Sequence, residues 1–339
     1  MMSSTSINVQ LNIVCQLSSE KVGALEALVR ELLALVNPET LRYVLIVPDN
    51  EFETAVNNII EMATDQRNSY KHKISNPARA IAIPVEIGEE LNCFVVIGES
   101  ILQNIEPDHY HPYELVSSLL EEFLHVWYFT ITWKRRGYVQ HRQGGLDACT
   151  AALFTIADQM QSEYVVNRKK AYLAGTNHLF EVERGGELVT GQFRYGDSVS
   201  KRLDNAIKSL GKTVIGAATK EITISDAWLC LVNDLYRDIL EPLARDAAFR
   251  TGTTDEHLTE KEALESKFYK DHFDVHWRKI RSELQRTMNS ELKEADLALD
   301  EIVKTLRIFL ECIGVTYRKT DDDRCWVDFR TNFFDALSH

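Results

Sequence analysis

The stretch Leu119-Leu120-Glu121-Glu122-Phe123-Leu124-His125-Val126-Trp127 lies inside Tyr113–Trp133, which reads as a long helix with Pro112 at its first turn. Side chains four apart share a helix face, so Glu121 and His125 project the same way, one turn apart. Glu122 is about 100° further round and stands beside whatever those two bind. Leu119, Leu120, Phe123, Leu124, Val126 and Trp127 make the helix apolar nearly all round, which predicts burial. Buried carboxylates need a partner or a metal. This is the arrangement in which a helix offers two metal ligands and an adjacent carboxylate as general base. The plain alternative is two solvated carboxylates and an imidazole bonded at the edge of the core.

Upstream, strand and helix alternate. Ile7–Cys15 alternates apolar and polar residues, a strand pattern. Ser18 or Ser19 caps a helix over Val22–Val36, which Asn37-Pro38 ends. Leu41–Val47 reads as a strand and Phe52–Thr64 as a helix. Ala80–Ile87 and Cys93–Ile101 are two β-rich runs, and Pro84 assigns the first to a sheet edge. The sheet is therefore expected to be mixed and covered by helices. Downstream, a second long helix spans Leu146–Leu173, and Ala174–Gly196 is irregular or a hairpin. The remainder reads as mostly helical, over Val199–Leu210, Ser225–Ala248 with a kink at Pro242, Glu260–Met288 and Glu291–Cys312. The fold class expected is α+β, with an α/β domain over 1–195 and a helical domain over 196–339.

On Glu121-Glu122-Phe123-Leu124-His125, with Glu163 on the following helix and the strand Cys93–Gly98 before it, the chain resembles the zincin metallopeptidases, especially the gluzincin type. The resemblance covers about Ala80–Leu173. It implies a mixed sheet whose edge strand lines a cleft, an active helix carrying HExxH, and a glutamate from a later helix. By that resemblance Glu121, His125 and Glu163 are metal ligands and Glu122 is the base for metal-bound water. Glu121 stands where the family has its first histidine. A Glu/His/Glu set lowers the Lewis acidity of a zinc ion and suits Mn or Fe better than a histidine-rich set does. The function implied is peptide-bond hydrolysis with a divalent metal, zinc first, on a peptide or protein substrate. The alternative is an inactive peptidase-like scaffold that acts as an interaction or regulatory module.

Other clusters carry less. Glu163 and Arg168 also read as exposed charges on an amphipathic helix. His272 and His276 lie one turn apart on a predicted helix among charged neighbours. His109, His111 and His141 fall in loops near the active helix, and Glu106 to His109 repeats the ExxH spacing of di-iron bundles, but in a loop containing Pro107. Lys134-Arg135-Arg136 reads as a solvated helix end and Asp321-Asp322-Asp323 as a surface turn. The six cysteines are scattered without a CxxC pair and read as reduced thiols. The 339 residues carry 38 Lys+Arg against 51 Asp+Glu, a net charge of −13 that disfavours nucleic-acid binding. No run approaches the ~18–20 apolar residues of a membrane span, and the opening residues, with no basic residue before Lys21, run into an alternating Ile7–Val14 that is expected to be a strand rather than part of a secretory signal. A cytoplasmic location is expected.

Overall fold

In the computed structural model the described residues are 9–62, 80–88, 90–102, 113–136, 146–177, 181–184, 187–190, 199–250, 258–288, 292–320 and 325–337. The architecture is α+β, as expected. The chain divides into two compact units, Met1–Tyr138 with Lys169–Gln192, and Val139–Arg168 with Phe193–His339.

The first unit is built on a four-stranded mixed sheet of β1 (Gln10–Ile13), β2 (Leu41–Val47), β3 (Ala80–Ile87) and β4 (Glu90–Gly98), in the order β1-β2-β4-β3. β1, β2 and β4 run parallel, while β3 is antiparallel to β4 and forms an edge. Proline is tolerated at an edge because its missing N–H breaks no ladder bond, and Pro84 stands there. Helix α1 (Ser19–Val36) begins at Ser18, whose hydroxyl accepts from the Lys21 N–H, and ends at Asn37 in the left-handed conformation. Helix α2 (Phe52–Glu61) packs Phe52, Val56 and Ile59 onto Ile83, Val85, Phe94 and Val96 of the sheet. Strand alternation turns Cys93, Val95 and Ile97 to the other face. Helix α3 (Tyr113–Arg136) belongs to that face, where Thr40 Oγ1 donates to Cys93 Sγ at 3.3 Å and shares a 2.6 Å hydrogen bond with Thr130 Oγ1.

Helix α4 (Ala148–Asn177) is continuous, and its residues 148–168 belong to the second unit and 169–177 to the first. It is followed by the antiparallel pair β5 (Glu181–Arg184) and β6 (Glu187–Thr190), in the region read as either irregular or a hairpin.

The second unit is mainly helical, with α5 (Val199–Ala218), α6 (Ile224–Asp234), α7 (Glu241–Arg250), α8 (Leu258–Ala263), α9 (Asp274–Met288), α10 (Leu292–Cys312) and α11 (Asn332–Leu337). Its core gathers Leu153, Met160 and Tyr164 of α4 with Trp228, Tyr269, Phe273, Trp277 and Phe309. The expected kink at Pro242 is a π-helical turn over Leu235–Leu240, which relieves the chain around a residue without an N–H. The expected unbroken helix over Glu260–Met288 is interrupted after α8. Ser266 bonds Asp204 Oδ1 at 2.6 Å and accepts from the Tyr269 N–H, so its hydroxyl competes with the helical ladder and restarts the helix through a π turn at Tyr269–Phe273.

The C-terminal part is mainly helical, as expected, but it also carries a strand pair that the sequence reading did not place. β7 (Val315–Lys319) and β8 (Cys325–Phe329) form an antiparallel pair that buries Val315, Tyr317, Val327 and Phe329. Gly314, at φ +87, makes the turn into β7, and a Cβ there would collide with the Arg330 carbonyl oxygen.

Candidate metal centre

Within the first unit α3 buries Leu119, Leu120, Phe123, Leu124 and Val126, as its all-round apolar pattern predicts. Glu121, Glu122 and His125 are half-buried. The Glu121 carboxylate and the His125 imidazole offer ligand atoms within 4.8 Å of one another. The same carboxylate has a second, stronger claim on it. Lys170, on the 169–177 part of α4, places Nζ 2.6 Å from Glu121 Oε2, with the two side chains 2 % and 16 % exposed. An ammonium so fully removed from water demands a counter-charge, and Glu121 supplies it.

The neighbours respond to this buried pair. Burial raises the Glu122 carboxyl from 4.5 to about 7, against the lowering pull of the Ala82 backbone hydrogen bond and the Lys170 charge. Burial lowers the His125 imidazole from 6.5 to about 4, and the Lys170 charge adds to it. His125 is therefore neutral at pH 7 and lies 6.2 Å from the Phe129 ring. Lys169 sits 3.4 Å over the Trp127 ring centroid, a cation–π contact, and burial lowers its pKa.

Glu122 and His125 give opposite pH slopes. The folded chain keeps the Glu122 proton between 4.5 and about 7 while the unfolded chain releases it, so this contribution falls as pH rises. His125 is protonated first in the unfolded chain as pH drops through 6.5, so its contribution rises with pH between about 4 and 6.5. The two oppose each other from 4.5 to 6.5. Glu122→Gln removes one slope, and the stability of the variant then climbs with pH across that window by up to about 1.4 kcal/mol per pH unit beyond wild type. Urea midpoints at several pH values across the window check this, and a variant no steeper than wild type counts against it.

Glu163 lies in the second unit, half-buried on α4. Its Oε2 is 2.9 Å from Arg245 Nε and accepts from Asn167 Nδ2 at 3.1 Å. Arg245 also bonds Glu241 at 3.3 Å. Burial holds Arg245 down at about 10 and raises Glu241 to about 7. The reading of Glu163 as an exposed charge is thus replaced by a half-buried, hydrogen-bonded one.

The cysteines correct a second expectation. Cys149 and Cys325 are disulfide-bonded although 176 residues apart, while Cys15, Cys93, Cys230 and Cys312 remain thiols. Asp147, Cys149 and Cys325 also form a group whose ligand atoms lie within 4.8 Å of one another, a donor set able to hold a metal when the sulfurs are reduced. No local spacing marks this group, since β8 brings Cys325 to the start of α4 from the far end of the chain.

His272 and His276 pack on aromatic rings instead of gathering ligands. His272 stands 4.9 Å from the Phe333 ring and His276 5.7 Å from Phe309. Glu106, His109, His111, His141 and Asp321–Asp323 lie outside the described residues, as do the side chains of Lys134–Arg136. Among the described residues no helix is long and apolar enough to cross a membrane. Comparison with models of known families, with curated proteins and with solved structures gives no match.

Proposed function

We propose that this chain is a peptidase-like scaffold that binds peptide or protein partners without hydrolysing them, with the Lys170 ammonium in the role a catalytic metal has in a zincin. The observation that carries the reading is the 2.6 Å contact between Lys170 Nζ and Glu121 Oε2. A divalent ion on the same oxygen would lie against that ammonium, so the residues present fit a metal poorly while Lys170 keeps its proton. The mixed sheet with an antiparallel edge strand beside α3 supports the scaffold half of the reading, as does a glutamate on the following helix. The Ala82 hydrogen bond to Glu122 supports the non-hydrolytic half. It places the would-be base on an edge-strand amide of β3 that an extended substrate would otherwise take.

One observation favours a second reading, a metal-dependent peptidase with Glu121, His125 and Glu163 as ligands, Glu122 as base and zinc, Mn or Fe as the ion. Glu121 and His125 present their ligand atoms within 4.8 Å, with His125 neutral and ligand-competent. Elemental analysis of the purified chain separates the two. The scaffold reading expects far less than one equivalent of any transition metal and no peptide cleavage. It also expects Glu121→His with Lys170→Met, which replaces the ion pair by a second imidazole and a neutral side chain, to gain zinc binding. One equivalent of metal in wild type, with peptide cleavage lost in Glu122→Gln, overturns it.

A further inference from the structure

Cys149 is the second residue of α4, 3 % exposed, whereas Cys325 opens β8 half-buried. Their Cα atoms stand 6.2 Å apart, inside the range a disulfide spans without moving backbone. Both belong to the second unit. Asp147 caps α4 by accepting from the Cys149 and Thr150 N–H groups at 3.1 and 2.9 Å, and its Oδ2 takes the Thr150 hydroxyl at 2.7 Å. The Thr150 hydroxyl bonds in turn to the Tyr317 hydroxyl of β7 at 3.3 Å. The start of α4 and the C-terminal hairpin are thus held together by polar contacts whether or not the sulfurs are joined, so the two thiols meet again after reduction.

We propose that Cys149 and Cys325 form a reversible disulfide staple of the second unit, in which Cys325 exchanges with a small-molecule disulfide of the glutathione type and Cys149 closes the bond. The asymmetry follows from position. A thiolate must reach its target along the S–S axis, and only Cys325 offers solvent access. Cys325 Sγ also lies 3.3 Å from Asp147 Oδ1, the residue that caps α4, which ties the start of β8 to the start of that helix. Cys149 lies in the first turn of α4, 3 % exposed, so it meets only a sulfur already brought to it on Cys325.

The exchange balances. Cys325 thiolate attacks the oxidised small molecule, forming a mixed disulfide and releasing one thiolate. Cys149 thiolate then attacks the Cys325 sulfur, forming the protein disulfide and releasing the second thiolate. The two cysteines are oxidised, the small-molecule disulfide is reduced to two thiols, and the two cysteine protons end on those thiols.

The test uses the full chain with exposed Cys230 and Cys312 replaced by serine, so that they take no adduct. Reduced protein is treated with oxidised glutathione and its mass is read without reductant. The parent is expected to lose two hydrogens and carry no glutathione. With Cys149→Ala the chain is expected to trap one glutathione, mapped by peptide analysis to Cys325. With Cys325→Ser it is expected to take none at Cys149 under native conditions. Reduction is expected to lower the melting temperature of the parent by roughly 5–15 °C and to leave that of Cys325→Ser unchanged. Full retention of the Cys149 and Cys325 thiols in the oxidant-treated parent, glutathione on Cys149, or a stoichiometric metal that keeps both sulfurs reduced in oxidant each overturns the proposal.

Discussion

Lys170→Met is expected to destabilise the first unit by about 3–5 kcal/mol, the range for breaking one side of a buried ion pair. Methionine matches the lysine stem in length, so little packing is lost. What is lost is the ammonium 2.6 Å from Glu121, whose side chain is only 16 % exposed and is left without its counter-charge. Glu121→Gln is expected to cost a similar amount, because it leaves the charge on a lysine that is 2 % exposed. Glu121→Leu with Lys170→Met removes both charges and is expected to recover most of the loss, since an apolar pair of similar volume is often neutral or better. The two single substitutions and the double one form a cycle that measures the coupling directly. The pair also sets its neighbours. Lys170 lowers both Glu122 and His125, so Lys170→Met is expected to raise both pKa values, which NMR titration of His125 reads. Single substitutions that each cost under about 1 kcal/mol, typical of exposed pairs, would show that the pair is solvated.

Trp277→Ala carries the largest expected effect in the second unit. Trp277 is fully buried in the core beside Tyr269, Phe273 and Phe309. Truncation removes most of an indole from a close-packed site, at about 3–5 kcal/mol. Trp277→Phe discriminates packing from polarity. Its smaller ring leaves a modest void, but it also deletes the Nε1 donor, which finds no acceptor among the described residues. Removing an unsatisfied buried donor recovers part of the void's cost, so the phenylalanine variant is expected within about 1.5 kcal/mol of wild type. Urea unfolding of both variants checks the contrast. Equal losses would mean that the indole N–H contributes more than its surroundings suggest.

The first unit was legible wherever the cause was local. Ser18 caps the helix it precedes, Leu41–Val47 is apolar enough for a strand with both neighbours in place, and Pro84 assigns β3 to an edge. The polar residues on α3 were legible for the same reason, as their four-residue spacing places them on one face. Lys170 was not. It ends the run Arg168-Lys169-Lys170, which reads as three exposed cations, and its partner Glu121 is 49 residues away. A weak signal existed, since Glu163, Asn167 and Lys170 fall at i, i+4 and i+7 on one helix face. The Ser266 interruption, the β7–β8 pair and the Cys149–Cys325 bond were missed for related reasons. Ser266 needs Asp204, and Cys325 needs Cys149, each far off in sequence. The alternation Val315, Tyr317 against Val327, Phe329 did carry a readable strand pattern for the hairpin.

The continuity of α4 has a consequence for how this chain can be rearranged. Its residues 148–168 give Leu153, Phe154, Met160 and Tyr164 to the core of the second unit, while its residues 169–177 carry Lys170 to the ion pair of the first. No single cut in the polypeptide releases either unit whole. A fragment that begins after residue 195 lacks the core side chains supplied by α4, and one that stops before residue 139 lacks Lys170. The two units are therefore inherited together. Recombination that shuffles domains at linkers has no seam to use here, and both must be transplanted as one gene segment or not at all.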